Sequence, residues 1–217
     1  MKFRFMALAA SLLLYAASAQ ASDVKGHSSE IPDAVWKDMQ GRSWHTNLPC
    51  PARKDLRYLV VPFRDFNGKT QLGELIVAQS QADKVVAAFD EIFASDTFRI
   101  EKMKLVDVYG GSDDASTGDN NTSAFNCRTV AKSKVLSSHA RGTAIDINPV
   151  QNPYVIFKNG KPTKIDPYDE EKERVDSVMG LITPGSIVDK AFAKRGWKWG
   201  GYWKSKKDYQ HISADGK

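Results

Sequence analysis

The segment 137–146, SSHARGTAID, places an imidazole and a carboxylate on either side of a glycine. After the glycine, Ala144, Ile145 and Asp146 alternate as in a half-buried strand, which puts Asp146 on the face away from Ile145. Gly142 permits a turn or a close backbone approach that a side chain would resist. The pattern therefore predicts that His139, in a loop, and Asp146, in a strand, bring their side chains together as ligands of one metal ion. The fold must allow that convergence.

A second polar segment, DYQH at 208–211, supplies another imidazole and a spare carboxylate. A catalytic zinc ion takes three protein ligands from His, Asp, Glu or Cys and keeps a fourth position open. His139, Asp146 and His211 fit that count, which predicts that these residues bind one Zn²⁺ ion. Asp208 lies three residues before His211, so it is interpreted as a general base or, alternatively, as the group that orients His211.

The remaining histidines, His27 and His45, have no such motif around them. A single histidine or aspartate in a fold is usually a satisfied polar residue, and these two are interpreted as structural or solvent-exposed. The metal interpretation therefore depends on the ten-residue pattern together with the distant Asp-x-x-His.

The motif S-x-H-x-x-G-x-A-x-D is complete at 137–146, and the chain thereby resembles the zinc D-alanyl-D-alanine carboxypeptidases and L-alanyl-D-glutamate endopeptidases of bacterial and phage cell-wall metabolism. The likeness covers most of the chain from about residue 50 onward, through the segments YGG (109–111), NNTSAFNCR (120–128), DINP (146–149), NPY (152–154) and RGWKWGG (195–201). Tyr202 stands where many relatives have Asp, and Ile212 where many have an aromatic residue. Neither is a proposed ligand, so these departures bear on substrate preference.

The resemblance implies a zinc metallopeptidase that hydrolyses an amide bond in peptidoglycan stem peptides, of the D-alanyl-D-alanine or the L-alanyl-D-glutamate type. It implies that Arg128 stabilises the oxyanion or a substrate carboxylate, with a buried structural salt bridge as the alternative. Asn126 and Ser137 are expected to bind substrate, although the Ser137 hydroxyl could equally stabilise a turn. A non-catalytic module that binds the cell wall or zinc on the same fold is the alternative function.

The N-terminus has the pattern of a secretory signal, with Lys2 and Arg4 before an apolar stretch and the small-residue site Ala19-Gln20-Ala21. The apolar stretch is too short for a membrane span. Cleavage near Ala21 predicts a secreted or periplasmic protein without a span in its mature form. Loss of Lys2 and Arg4 lowers the formal net charge from +5 to +3, and the scattered Lys and Arg residues argue against nucleic-acid binding.

Removal of 21 residues from 217 leaves 196, which fits a single domain and is expected to be a monomer. The predicted organisation is a signal peptide at 1–21, a lead-in at 22–49 that is loose over 22–35, and a peptidase domain at 50–217. An oxidising compartment makes a disulfide between Cys50 and Cys127 the expected state, with two separate buried thiols as the alternative.

Residues 56–63 and 72–78 are predicted as strands joined at Asn67-Gly68. Ser80 is predicted to cap a helix, with Asp83 three residues on. The apolar stripe of that helix repeats at helical spacing and is predicted to pack on the sheet; it comprises Val85, Val86, Phe89, Ile92 and Phe93.

Residues 103–109 are predicted as a third strand, and 110–123 as a long loop that is solvated or contacts substrate. Residues 166–178 are likewise expected to be a surface excursion or to contact substrate. Pro184 is predicted to open a short helix that ends at Gly196. Residues 197–199 are predicted as a strand whose tryptophans pack in the core or floor the substrate groove. Hairpin strands with helices outside predict an α+β fold, with a small antiparallel sheet that carries the zinc site.

Overall fold

The structure, a computed structural model, describes residues 24–130, 133–167 and 178–217. The predicted signal peptide at 1–21 and most of the expected surface stretch at 166–178 lie outside these ranges. Within them, no helix is both long enough and apolar enough to cross a membrane.

The described chain contains strands, most of them short, and four α-helices. The strands are β1 (His27–Ser29), β2 (Leu56–Arg64), β3 (Thr70–Ala78), β4 (Lys102–Met103), β5 (Asn121–Thr122), β6 (Ala144–Asp146), β7 (Tyr154–Lys158), β8 (Lys161–Asp166), β9 (Lys198–Trp199), β10 (Lys206–Asp208) and β11 (His211–Ser213). The α-helices are α1 (Asp33–Met39), α2 (Ala82–Ser95), α3 (Asp113–Gly118) and α4 (Ile187–Ala193).

The strands form small sheets in the orders β1-β2-β3, β6-β11-β9 and β10-β7-β8, all antiparallel, and a parallel pair β4-β5. Helix α2 packs on β2 and against α4, where Phe89 meets Phe192 edge-on with ring centroids 5.7 Å apart. The predicted α+β class is therefore confirmed.

The long hairpin is also confirmed, since β2 and β3 pair from Leu56↔Ala78 to Arg64↔Thr70 around Gly68, whose φ is +76°. The expected loose lead-in at 22–35 is wrong over its described part. β1 pairs with the free edge of β2, and Ile31 is buried in a small apolar cluster. Backbone hydrogen bonds to an open strand edge order this polar segment, which has little apolar periodicity of its own.

Helix α2 buries Val85, Phe89 and Ile92 as predicted, with Val86 and Phe93 half-buried. The predicted cap at Ser80 is wrong. Residues Gln79–Gln81 form a 3₁₀ turn, so α2 starts at Ala82 after Gln81, which makes no side-chain cap. Short 3₁₀ turns are common at α-helix starts and shift the apparent cap by a residue or two.

The predicted strand at 103–109 is wrong beyond Met103, because residues Val106–Tyr109 form a 3₁₀ helix. A short apolar run does not distinguish a strand from a buried helical turn. The predicted loop at 110–123 instead contains α3, whose N-terminus is capped when the Ser112 hydroxyl accepts a hydrogen bond from the Ala115 amide. This segment is therefore ordered by its own local structure.

Trp197 and Trp199 are both in the main core, as one of the two expectations had it. Helix α4 is capped by Ser186 rather than opened by Pro184, since the Ser186 hydroxyl accepts from the Asp189 amide. Cys50 and Cys127 form the expected disulfide, with Cα atoms 5.9 Å apart. The bridge ties the segment before β2 to residues that lead toward the site.

Candidate metal centre

Three short elements bring the predicted ligands together. Asp146 ends β6 and His211 begins β11, and these residues are direct partners in the antiparallel register. His139 starts a 3₁₀ helix, His139–Arg141, which Gly142 closes with φ +68°. A Cβ on Gly142 would lie 2.5 Å from the amide nitrogen of Ala78, so only glycine fits where this turn meets β3.

The three candidate ligand side chains converge through four atoms, one nitrogen of each ring and the two carboxylate oxygens of Asp146. His139 Nε2 lies 3.2 Å from Asp146 Oδ2 and 3.2 Å from His211 Nδ1, and His211 Nδ1 lies 3.0 Å from Asp146 Oδ1. Both imidazole side chains are buried and Asp146 is half-buried. Among the residues that the structure describes, this is the one cluster of three such side chains within reach of a common ion.

The outward nitrogen of each ring contacts a backbone oxygen. His139 Nδ1 lies 2.7 Å from the oxygen of Ala124, and His211 Nε2 lies 2.8 Å from the oxygen of Lys217. A backbone oxygen can only accept, so each outward nitrogen carries the hydrogen. Each neutral ring then turns a lone pair inward, which is the tautomer a metal ligand requires.

The electrostatics of the cluster favour a positive charge at its centre. Burial alone would raise the pKa of Asp146, but the His139 and His211 rings beside it hold that pKa well below its usual range. Burial alone would lower the pKa of His211, but the hydrogen bond to Asp146 and the charges of Asp146 and Asp208 raise it to about 9. A proton on His211 and a metal ion therefore compete for the same place.

The spacing fits zinc. Four tetrahedral ligands at zinc bond lengths of about 2.0–2.1 Å lie about 3.3 Å from one another. The ligand-atom separations of 3.0–3.2 Å are close to that value, and the donor set of two imidazoles and one carboxylate is one that zinc accepts. The site thus offers three protein ligands and is suited to a zinc ion.

Asp208 lies at the edge of this cluster without being one of the three. It ends β10 opposite Tyr154, and its Oδ1 atom is buried with no hydrogen-bond partner. Burial, followed by the negative charge of Asp146, raises the pKa of Asp208 to about 6, against the opposing effect of His211. A buried carboxylate oxygen without a donor is available to bind a proton that comes from the site.

The predicted substrate residues have other contacts as well. Arg128 Nη2 donates to Asp113 Oδ2 at 2.6 Å in an ion pair whose side chains are about one-third exposed. The Ser137 hydroxyl accepts from the His139 amide at 3.2 Å, which is the turn contact considered as its alternative role. The backbone amide nitrogen of Asn126 donates to the His139 carbonyl at 3.3 Å. Asn126 and Ser137 therefore adjoin the ligand segment, and Arg128 is joined to α3.

The C-terminal segment, residues 214–217, contributes contacts that sequence reasoning missed. The Lys217 oxygen that accepts from His211 also accepts from the Ser213 hydroxyl at 3.1 Å. Asp215 accepts from the Lys217 amide at 3.1 Å and from Arg141 Nη2 at 2.8 Å. Residues ADGK carry no pattern that indicates a role beside a metal, so no sequence signal could have found this contact.

Comparison with known proteins gives one family. Residues 131–214, less than half of the chain, match the family described as D-alanyl-D-alanine carboxypeptidase. No curated protein and no solved structure gives a significant match. The matched range contains His139, Asp146, Asp208 and His211, and it confirms the resemblance that the motif at 137–146 indicated.

Proposed function

We propose, on the premise that residues 131–214 are a peptidase of the D-alanyl-D-alanine carboxypeptidase family, that the protein is a zinc-dependent hydrolase of peptidoglycan stem peptides. It would act outside the cytoplasm after cleavage near Ala21. The observation that carries the proposal is the convergence of inward-facing atoms from His139, Asp146 and His211, with a backbone oxygen beside the outward nitrogen of each ring.

His139, Asp146 and His211 would hold the zinc ion. When bound, zinc supplies Lewis acidity, which makes water a better nucleophile near neutral pH and polarises the scissile carbonyl. Asp146 adds the negative charge that favours a cation, and the two rings stay in their ligand tautomers because Ala124 and Lys217 accept their outward hydrogens.

Asp208 would act as the general base. Its buried Oδ1 has no donor of its own, so it can accept a proton from the attacking water and pass that proton to the leaving amine. A pKa raised to about 6 supports this role, since a base works best when its pKa lies near the working pH. The same carboxylate needs no place among the three ligands.

Arg128 would stabilise the developing oxyanion or a carboxylate of the substrate, and Ser137 and Asn126 would contact the peptide. The Arg128–Asp113 ion pair is partly exposed, so a substrate carboxylate could compete with Asp113 for the guanidinium. Until substrate arrives, the ion pair with Asp113 would keep the guanidinium in one position.

The metal assignment is tested by zinc content. Purified protein dialysed against trace zinc is expected to hold one equivalent, and His139→Ala and His211→Ala are expected to hold almost none, because two ligands do not retain zinc against dialysis. Elemental analysis by mass spectrometry measures this directly. His27→Ala is the matched control and should keep one equivalent; full zinc in both ligand variants would disprove the assignment.

The reaction is tested with purified muropeptides and mass spectrometry of the products. Release of a terminal alanine would identify the carboxypeptidase reaction, and a cut after the first L-alanine the endopeptidase reaction. Asp208→Asn is expected to keep its zinc and lose about 10²- to 10⁴-fold in turnover, the usual contribution of a positioned base.

Asp38→Asn, a change at an exposed aspartate of α1, is the control for Asp208→Asn and should leave turnover unchanged. If Asp208→Asn turned over substrate at the wild-type rate, a residue other than Asp208 would be the general base. Absence of any cleavage by the zinc-loaded wild type, with muropeptides still bound, would favour the non-catalytic binding module instead.

A further inference from the structure

A lysine lies between two aromatic rings at the border of the metal centre. The Lys206 ammonium is 5.0 Å from the ring centroid of Trp203 and 5.6 Å from that of Tyr154. Lys206 is exposed, whereas Trp203 and Tyr154 are half-buried. The two rings hold the ammonium in place by cation–π attraction while leaving it open to solvent.

The register of β10 and β7 places this group on the face that carries Asp208. Lys206 and Asp208 are two residues apart in β10, so their side chains leave the same face of the sheet. Asp208 faces Tyr154 directly, and Lys206 faces Ile156, so Tyr154 is its diagonal neighbour. The ammonium and the proposed base thus share one face of the sheet.

Trp203 connects the lysine to the ligands. Its ring centroid lies 5.5 Å from that of His211, and the Lys206 ammonium lies 5.0 Å from the Trp203 ring. The ammonium is therefore no farther from the His211 ring centre than the sum of these two distances. An extended peptide advances about 3.3–3.6 Å per residue, so this upper bound corresponds to about three residues of substrate.

Lys206 forms no ion pair among the described residues, and the carboxylate on which its charge acts is Asp208, on the same face of β10. The lysine ion pairs found there involve Lys102, Lys164 and Lys194. The neighbouring Lys207 donates instead to the Gly201 carbonyl at 3.0 Å. A cation that aromatic rings position, and that forms no ion pair with a carboxylate, is suited to an anionic group of a ligand.

We propose that Lys206, with Trp203 and Tyr154 as walls, binds the free carboxylate of the substrate residue whose amine is released by cleavage. The inference rests on the proposed function and narrows its substrate. A terminal D-alanine carries this carboxylate at its end, and a D-glutamate joined through its side chain carries it on its α-carbon. Both proposed bonds therefore present the same chemistry one residue beyond the scissile carbonyl.

The test pairs two substrates with four proteins. For whichever bond the protein cleaves, the peptide is made with the free carboxylate and with the matching amide, and kcat and KM are measured. Wild type is expected to prefer the acid through a lower KM. Lys206→Gln is expected to lose about 10- to 100-fold of that preference, the range for one hydrogen bond to a charged group, with kcat changing less.

Lys206→Arg keeps the positive charge and should retain most of the preference, which excludes a purely structural effect. Lys204→Gln removes an exposed neighbouring lysine and should behave as wild type. An unchanged acid-to-amide preference in Lys206→Gln would overturn the proposal, and so would an equal loss of preference in Lys204→Gln.

Calorimetry on the Asp208→Asn background separates this inference from the proposed function, because it measures peptide binding without turnover. Tighter binding of the acid that disappears with Lys206→Gln supports the subsite even where no cleavage is seen. Equal binding of acid and amide by the Asp208→Asn protein overturns it, even if the wild type proves to be a peptidase.

Discussion

The two imidazoles of the metal centre are oriented in the same way by two very different parts of the molecule. His139 is held by the carbonyl of Ala124, a residue of the main core. His211 is held by the backbone oxygen of Lys217, in the C-terminal segment. In both cases one ring N–H donates to one backbone oxygen, but the structures that fix the two oxygens differ.

The Ala124 carbonyl belongs to a chain segment fixed by backbone hydrogen bonds and a covalent bridge. Ser123 exchanges two backbone hydrogen bonds with Asp146, and the Phe125 amide donates to Ile76 in β3 at 3.1 Å. Cys127, two residues on, is bonded to Cys50. The acceptor for His139 therefore moves only if the domain itself comes apart.

The position of the Lys217 backbone oxygen depends on polar side chains near the surface. Asp215, about one-third exposed, accepts from the Lys217 amide and from Arg141, and Trp203 Nε1 donates to Gly216 at 3.2 Å. Exposed ion pairs contribute little to global stability. Substitutions near His139 should therefore lower the free energy of unfolding, whereas substitutions near His211 should weaken metal binding in an intact fold.

Breaking the disulfide is expected to have the largest effect. The bridge spans a sequence separation of 77 residues, for which the chain-entropy estimate is about 4 to 5 kcal/mol. A Cys50→Ser, Cys127→Ser double variant should lose about that much free energy of unfolding in urea, with both forms measured free of zinc. Because Cys127 lies next to the segment that holds His139, zinc binding should fail as the fold fails.

The outcome that would contradict this is a double variant whose unfolding free energy falls by less than about 1 kcal/mol. Such a result would mean that backbone hydrogen bonds alone secure the Ala124 carbonyl. Wild-type protein treated with a reductant serves as a second form of the same change.

Disturbing the C-terminal segment is expected to have an intermediate effect. Asp215→Ala removes the carboxylate that accepts from both the Lys217 amide and Arg141. The Lys217 backbone oxygen, which orients His211, is then no longer fixed. Loss of such an orienting contact typically costs about 10- to 100-fold in metal affinity. Competition with a fluorescent chelator would measure that loss, and the unfolding free energy without zinc should change by less than about 1 kcal/mol.

Asp38→Ala provides the matched control, since Asp38 is an exposed aspartate on α1. This substitution should change neither the zinc affinity nor the free energy of unfolding. If Asp215→Ala instead lowered stability by several kcal/mol with zinc affinity unchanged, the two sides of the site would not differ as described.

Changing the pH is expected to have the smallest effect per step and to act through His211. Its pKa in the zinc-free protein is raised to about 9, so below that pH zinc must displace a proton from this ring. Zinc affinity should therefore fall by up to about tenfold for each unit the pH drops below 9. Calorimetry in buffers of different ionisation enthalpy would count the protons released.

The zinc-free fold should respond in the opposite sense. A histidine whose pKa is raised on folding stabilises the protein fully below its unfolded value of 6.5, and this contribution is lost as the pH rises through about 9. Unfolding free energies of the zinc-free protein at pH 6 and pH 10 would test this. Equal zinc affinity at pH 7 and pH 9 would show that His211 does not bind the competing proton.

Predictions from sequence held where the signal was local and strong. The β2–β3 hairpin and the buried stripe of α2 follow from periodicity over nine or more residues. Predictions failed where a signal spanned only a few residues, as with the 3₁₀ helix at Val106–Tyr109. They also failed for β1, because an open edge elsewhere in the chain, and no pattern of its own, makes that segment a strand.

The sequence by itself determined which side chains could meet at a metal, since SSHARGTAID and DYQH contain two imidazoles and two carboxylates and Gly142 permits the required turn. Only the tertiary structure decided that His211 pairs with Asp146, that Ala124 and Lys217 accept from the rings, and that Lys206 lies beside Trp203. The physical reason is that these contacts join residues far apart in the chain. Their partners are fixed by strand register and packing, which no local spacing encodes.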